Sequence, residues 1–315
     1  MDWTLKTLPE CFAAYIDFFK MGVNGNQPEI HCWQVPNEES FQVICQQSLN
    51  KCHFYDLPLS LENVFVIPHG DEIIDHPNRE SIELSERIRK VTSRDLSDTI
   101  VIISPHGLKL SNSIGVINTQ YLNGQLSLKT RRINRKYETD RILATAIAAS
   151  GPLTQEVSFV TSTGPMSVFP LDFGSVIPLT FFRKKRLVSI GQPRIWDLDG
   201  LMDFGKALAG IAERHEKKVT IVISADQAHT HAPDGVYGFA LEAKPYEDLI
   251  EKCVVASDMT PLLELNRAFI EKAKPDSYWN MIILKGIMDH TGMKSVLDYH
   301  YVEHYFGMLL AHLIK

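Results

Sequence analysis

The sequence predicts an α/β protein built as three layers, a mostly parallel or mixed central sheet with helices on both faces, preceded by an α-rich N-terminal lead-in. Three observations predict it. From about residue 61 short β-branched runs alternate with amphipathic stretches, the signature of a sheet covered by helices. The composition, 44% hydrophobic and 22% charged, is that of a globular protein with a real core. No low-complexity linker interrupts the alternation, so the 315 residues divide into a segment 1–60 packed on a main domain 61–315.

In the lead-in, "LPECFAAYIDFFKMG" (8–22) has helical apolar spacing and stops at Gly22, and "NEESFQVICQQSLNKC" (37–52) opens on a capping-type Asn37. Strands are expected at "NVFVIP" (63–68), "TIVIIS" (99–104), "VSFVTS" (157–162), "SVIPLTFF" (175–182), "RLVSIG" (186–191) and "VTIVIS" (219–224). Helices are expected over 80–92, 138–149, 200–216, 244–255, 258–273 and 279–289. The aromatic run "LDYHYVEHYFGMLLAHL" (297–313) reads as helix-packing.

Bulk properties exclude several functions. A net charge of −6 without a long basic block speaks against nucleic acid or an anionic membrane as partner, and the one basic cluster, "TRRINRK" (130–136), reads as a solvated loop. The first twenty residues lack a cleavage-site pattern and no apolar run approaches the roughly 20 residues of a membrane helix, so a cytoplasmic protein is expected. Five irregularly spaced cysteines without a CxxC argue for reduced thiols. His31 beside Cys32 and His53 beside Cys52 lack metal-ligand spacing.

Chemistry is concentrated at strand ends. "FVIPHG" delivers His69, "VIISPHG" delivers His106, and "VTIVISADQAHTH" delivers His229 and His231. In α/β sheets the functional crevice lies beyond the carboxyl ends of the strands, so histidines far apart in sequence can meet there. Neutral imidazole is both a common metal ligand and a proton carrier. "HYVEH" (300–304) matches the H-x-x-E-H pattern of inverted zinc peptidases, but little chain follows to supply a third ligand. GxGxxG, a phosphate loop and GxSxG are all missing.

Four pieces in order, "VIPHG", "IISPHG", "PLDFGSVIPL" and "SADQAHTHAPDGVYGF", resemble the class III extradiol dioxygenase superfamily, which includes the protocatechuate 4,5-dioxygenase beta subunit and Memo-like proteins; the resemblance spans roughly 61–311. It implies Fe(II), with zinc or another divalent metal as alternatives, held by two histidines and a carboxylate with positions open for a small aromatic diol and O2. On this mapping His69 and His106 are ligands and His229 is the acid/base, an imidazole with pKa near about 6.5 being suited to deprotonating a catechol. Asp226, Tyr237 and His231 fall where substrate contacts would lie. A homo-oligomer is expected because relatives commonly assemble.

Two positions depart from the pattern. Phe173 stands where many relatives have histidine. The third ligand, a glutamate in many relatives, would fall near Pro275, with Asp276 beside it. Asp276 is either a shorter carboxylate ligand or the N-cap of the helix beginning near Trp279; in the latter case Glu72 or water would complete the site. The alternatives to ring cleavage are a Memo-like metal-binding protein or non-catalytic paralogue, and a metallohydrolase acting on an ester or amide.

Overall fold

Strands covered on both faces read as continuous apolar runs, and runs of this kind form the middle of the main sheet. A computed structural model of the chain describes residues 60–158 and 167–315, together with the backbone of three N-terminal strands, β1 (Thr4–Leu5), β2 (Ile30–Gln34) and β3 (Phe41–Cys45). The chain divides into two units, Met1–Pro58 and Leu59–Lys315.

In the first unit β1, β2 and β3 pair as a three-stranded antiparallel sheet. Phe41–Cys45, expected inside a helix, is therefore a strand, and its apolar Phe41, Val43 and Cys45 do recur with period two. The helix expected over 8–22, and the side chains of His31, Cys32, Cys52 and His53, lie outside the described residues.

The second unit runs β4 (Leu61–Ile67), α1 (Glu72–Asp75), α2 (Arg79–Thr92), β5 (Thr99–Ser104), β6 (Ile114–Ile117), β7 (Tyr121–Ser127), β8 (Arg132–Glu138), α3 (Arg141–Ala148), β9 (Thr154–Val157), β10 (Val168–Leu171), α4 (Phe173–Leu179) and β11 (Arg186–Gly191). It continues with α5 (Leu198–Glu213), β12 (Val219–Ser224), α6 (Ala243–Ala256), a 3-10 turn (Thr260–Glu264), α7 (Arg267–Ala273), α8 (Tyr278–Thr291), β13 (Lys294–Glu303) and β14 (Phe306–Ile314). Eight strands form one mixed sheet in the order β13-β14-β4-β12-β5-β11-β6-β9, with β4, β12, β5 and β11 mutually parallel. A small sheet, β10-β7-β8, stands apart from it. The expected α/β class and mixed central sheet are what the structure has.

Alternation along the buried strands sorts side chains into two cores. Val64, Val66, Val101, Ile103, Ile221 and Ile223 join Leu208 of α5 and Ile283 of α8 on one face. Phe65, Ile67, Ile100, Ile102 and Val222 join Leu84 and Ile88 of α2 and Ile177 of α4 on the other. The sheet is thus the middle of three layers. Among the described residues no helix is long and apolar enough to cross a membrane.

Several expected elements change character, each for a local reason. "SVIPLTFF" is mostly helix α4, because Asp172 caps it, accepting from the Ser175 N–H at 3.0 Å. The expected helix 258–273 breaks at Asn266, whose side chain accepts from Phe269 N–H at 3.0 Å and starts α7 afresh. The basic cluster lies largely in strand β8 and not in a loop. "LDYHYVEHYFGMLLAHL" is a β-hairpin: Met308 and Leu310 enter one core, Leu309 and Ala311 the other. His300 therefore sits on β13 and His304 in the turn with φ 50°, so the H-x-x-E-H residues share no helical face. Strands β7, β8 and most of β9 carry too few apolar residues to stand out in the sequence, and β6 and β10, although apolar, are only four residues long. Of "VSFVTS" only Val157 and Ser158 are described.

Helices α5 and α8 cross backbone to backbone. A Cβ at Gly286 would lie 2.0 Å from the Met202 carbonyl oxygen, and one at Gly205 would lie 2.2 Å from that of Ile283. Alanine improves intrinsic helix propensity by up to ~1 kcal/mol, yet here it would push the helices apart. Gly286→Ala is expected to destabilise the protein by a net of about 1–3 kcal/mol, the usual cost of overpacking, measured by urea unfolding.

Candidate metal centre

β12 lies between β4 and β5, all three parallel, with Ser224 level with Ile67 and Ile223 level with Ile103. Their carboxyl ends therefore open onto one place. Pro68-His69-Gly70 follows β4, Pro105-His106-Gly107 follows β5, and Ala225-Asp226 leads from β12 toward His229. Asp276 arrives from the loop ahead of α8.

The structure brings His69, His106 and Asp276 together. Asp276 Oδ2 is 3.0 Å from His69 Nε2 and 2.8 Å from His106 Nε2, and the two Nε2 atoms are 3.1 Å apart. With metal–ligand bonds of about 2.1 Å, neighbouring donors on an octahedron stand about 3.0 Å apart. The three donors thus have the spacing of one octahedral face. Asp276 Oδ1 is buried without a hydrogen-bond partner, a costly state for a carboxylate oxygen that a cation would relieve. The residues present fit a divalent metal.

The helix-cap role open to Asp276 in the sequence is not used. Ser277 occupies the cap position of α8, and its hydroxyl donates to the Asp226 carbonyl. Gln192 Nε2 donates to the Asp276 carbonyl at 3.2 Å. One turn into α8, Asn280 Nδ2 lies 2.8 Å from the Ser224 carbonyl and 3.3 Å from that of Ile103, stapling the helix to the ends of β12 and β5.

A chain of hydrogen bonds sets the His69 ring. Its Nδ1 is 2.8 Å from Ser224 Oγ, and Ser224 donates its own proton to the Gly174 carbonyl. The serine must accept from Nδ1–H, which leaves a lone pair on Nε2 for a metal once that nitrogen is deprotonated. Pro178, four residues after Gly174 in α4, has no N–H, so the Gly174 carbonyl is free of its helical partner. Sequence reasoning missed Ser224, Gly174 and Asn280, although Ser224 and Gly174 lie within the motif segments "SADQAHTHAPDGVYGF" and "PLDFGSVIPL".

Burial alone would lower the His69 pKa, but the adjacent carboxylates of Asp226 and Asp276 outweigh it and push it up to about 9. Burial would raise Asp276, yet the charge of His69 and hydrogen bonds from both histidines hold it well below the usual carboxylate range. Asp226 is raised, by burial first and by the charge of Asp276. Its Oδ1 accepts from the His69 backbone N–H at 2.9 Å, so Asp226 supports His69 from beneath. Glu72 is no part of the trio; burial and the charges of Asp71 and Glu303 push it up to about 7.

His229 stands beside the trio, its Nε2 4.0 Å from Asp276 Oδ2. Its Nδ1 lies 2.7 Å from the Gln227 carbonyl, so Nδ1 carries a proton and in the neutral ring Nε2 is the acceptor. The ring stacks on Phe306 at 5.4 Å between centroids, and exposed Tyr237 approaches it edge-on at 5.9 Å. His231 is turned elsewhere: its Nε2 lies 3.3 Å from Glu247 Oε2. Phe173 covers His106 with ring centroids 4.3 Å apart, placing an apolar face on the rim.

Residues 64–311 match the family model described as the catalytic LigB subunit of aromatic ring-opening dioxygenase. A Clostridium acetobutylicum relative, Protein CA_C1420, is 23% identical over 200 residues, covering 58% of this chain and 42% of the relative. The chain thus spans less than half the length of that curated relative. Among solved structures, JW3007 of Escherichia coli K12, described as an uncharacterized protein, is similar with a TM-score of 0.59 at 13% identity, covering 80% of this chain and 99% of that one. At that identity the likeness shows the fold alone.

The raised His69 pKa has a sign that can be checked. In metal-free protein the proton on His69 stabilises the fold fully below its unfolded value of 6.5, and that contribution is lost as pH rises through about 9. A metal must displace the same proton. Between those limits divalent-metal affinity is expected to rise about tenfold per pH unit, as read by metal titrations across that range.

Proposed function

The chain belongs to the family of the catalytic LigB subunit of aromatic ring-opening dioxygenase, and from that premise we propose that it is a non-haem Fe(II)-dependent extradiol dioxygenase opening a catechol-type ring with O2. One observation carries the reading: His69, His106 and Asp276 converge on a common point, and beside them stands an imidazole with its tautomer set by the Gln227 carbonyl. Iron bound there would supply open positions for a diol and O2 and stabilise the developing anionic oxygens.

The protein's own residues would do the rest. His69 and His106 offer Nε2 lone pairs and Asp276 a carboxylate oxygen. His229 Nε2 would take the proton from a diol hydroxyl and later return one, holding it at that nitrogen because Nδ1 is already committed. Phe306 behind His229 and Phe173 over His106 give the site apolar surfaces that suit an aromatic ring. Tyr237 lies at the rim, where a substrate edge would reach it.

A second reading is a Memo-like metal-binding protein without ring cleavage. Phe173 favours it, since an apolar ring stands where many relatives have a histidine. Anaerobic purification, Fe(II) loading and O2 uptake with a panel of catechols separate the two. At least one catechol should be consumed with equimolar O2; an iron-replete, folded sample that takes up no O2 with any of them would refute ring cleavage and leave the second reading. His229→Ala should keep its metal and slow turnover by about 10²–10⁴-fold, the span for a lost acid/base group. Asp276→Ala should instead lose the metal, as measured by metal content after dialysis.

A further inference from the structure

Away from the metal centre, Glu247 of α6 is a carboxylate only 3% exposed that bonds two histidines. Its Oε2 accepts from the Ala228 backbone N–H at 3.2 Å and from His231 Nε2 at 3.3 Å, and its Oε1 accepts from His300 Nε2 at 2.7 Å. His300 turns its other nitrogen to Glu251 at 3.1 Å, so both ring nitrogens donate to carboxylates and the imidazole is charged. The buried negative charge is thereby compensated. Burial would raise the Glu247 pKa, but the hydrogen bonds from His231 and His300 outweigh it and keep the group ionised.

The neighbouring backbone is shaped around this carboxylate. A Cβ at Gly307 would lie 1.8 Å from Glu247 Oε1, so the group can sit where it does only opposite a glycine. The segment after β12 is tied to the same stretch of β14: Gln227 N–H donates to the Gly307 carbonyl at 2.8 Å, Gly307 N–H to the Ala228 carbonyl at 3.0 Å, and His231 N–H to the Tyr305 carbonyl at 3.1 Å.

The Ala228 N–H and the Gln227 carbonyl are the two ends of one peptide group. Because that group is planar and trans, fixing its N–H fixes its carbonyl in the opposite direction. That carbonyl is the acceptor of His229 Nδ1 at 2.7 Å. We propose that Glu247 is a positioning residue for His229, acting through the 227–228 peptide as a carboxylate–peptide–imidazole relay, with His231 and His300 holding the carboxylate in place. The inference rests on the acid/base role proposed for His229. An ionised acceptor on the N–H polarises the peptide and strengthens the bond its carbonyl accepts. The relay orients the ring and keeps the proton on Nδ1, leaving Nε2 the basic atom. It also accounts for His231 and His300, two histidines that stand out in the sequence and take no place among the metal-facing groups.

The test uses Glu247→Gln, Gly307→Ala, which displaces the carboxylate without altering it, and His231→Gln, which keeps a donor for it. Imidazole 15N shifts of His229 in the full chain loaded with zinc, a diamagnetic probe, report the tautomer without any turnover. The wild type should show one Nδ1–H tautomer, and Glu247→Gln and Gly307→Ala a mixture. In the iron-loaded enzyme those two variants should lose about 10–100-fold in kcat, the span for removing an outer partner, with KM and metal content unchanged. His231→Gln, which still offers Glu247 a donor, should keep the single Nδ1–H tautomer of His229.

A single unchanged tautomer in whichever of the first two variants folds overturns the relay, even if that variant is less thermally stable. A raised KM in His231→Gln at wild-type kcat overturns the part assigned to His231 and makes it a substrate contact. If the wild type turns over no catechol, the proposed reaction fails while the tautomer measurement still decides the relay.

Discussion

Asp276 is a carboxylate taken almost wholly out of water, and such a group persists only where cations or donors surround it. That constraint organises the rest of the centre. His69 and His106 must point their Nε2 atoms at it, and α8 must bring it to the strand ends. α8 can do so because Gly205 and Gly286 let it lie directly on α5, and because Asn280 bonds the Ser224 and Ile103 carbonyls near the ends of β12 and β5. Helix packing at Gly205 and Gly286, away from the centre itself, thus helps set the position of one oxygen atom.

The same logic runs through α4. Proline inside a short helix leaves one carbonyl without its helical partner, and here that carbonyl receives the Ser224 hydroxyl. The serine is then able only to accept from His69, which determines the side of the ring that faces a metal. A local breach of helix bonding becomes a choice of tautomer. At His229 the equivalent choice falls to a backbone carbonyl, Gln227, whose peptide is held from its other end by Glu247.

Much of this was legible in the sequence. The buried parallel strands declare themselves because both faces are apolar, and the Pro-His-Gly and Ser-Ala-Asp-Gln-Ala-His segments mark their ends. Strands of the small sheet such as β7 and β8 were not, since few of their residues are buried apolar ones and the basic run of β8 looks like a loop. The hairpin β13–β14 was misread for another reason. Its strand alternation feeds two cores at once, so apolar residues follow one another without period two and resemble a packed helix.

The sequence by itself determined the α/β class, a helix-covered sheet left open as mostly parallel or mixed, and which histidines end its strands, because those follow from nearest-neighbour patterns of hydrophobicity and turn chemistry. Only the tertiary structure decided that β12 lies between β4 and β5, that Asp276 serves the histidines while Ser277 takes the helix start, and that His231 belongs to Glu247. Each of those outcomes depends on which of two nearby partners a polar group meets across the fold. Such distances are set by packing between segments far apart in the chain, and no local pattern records them.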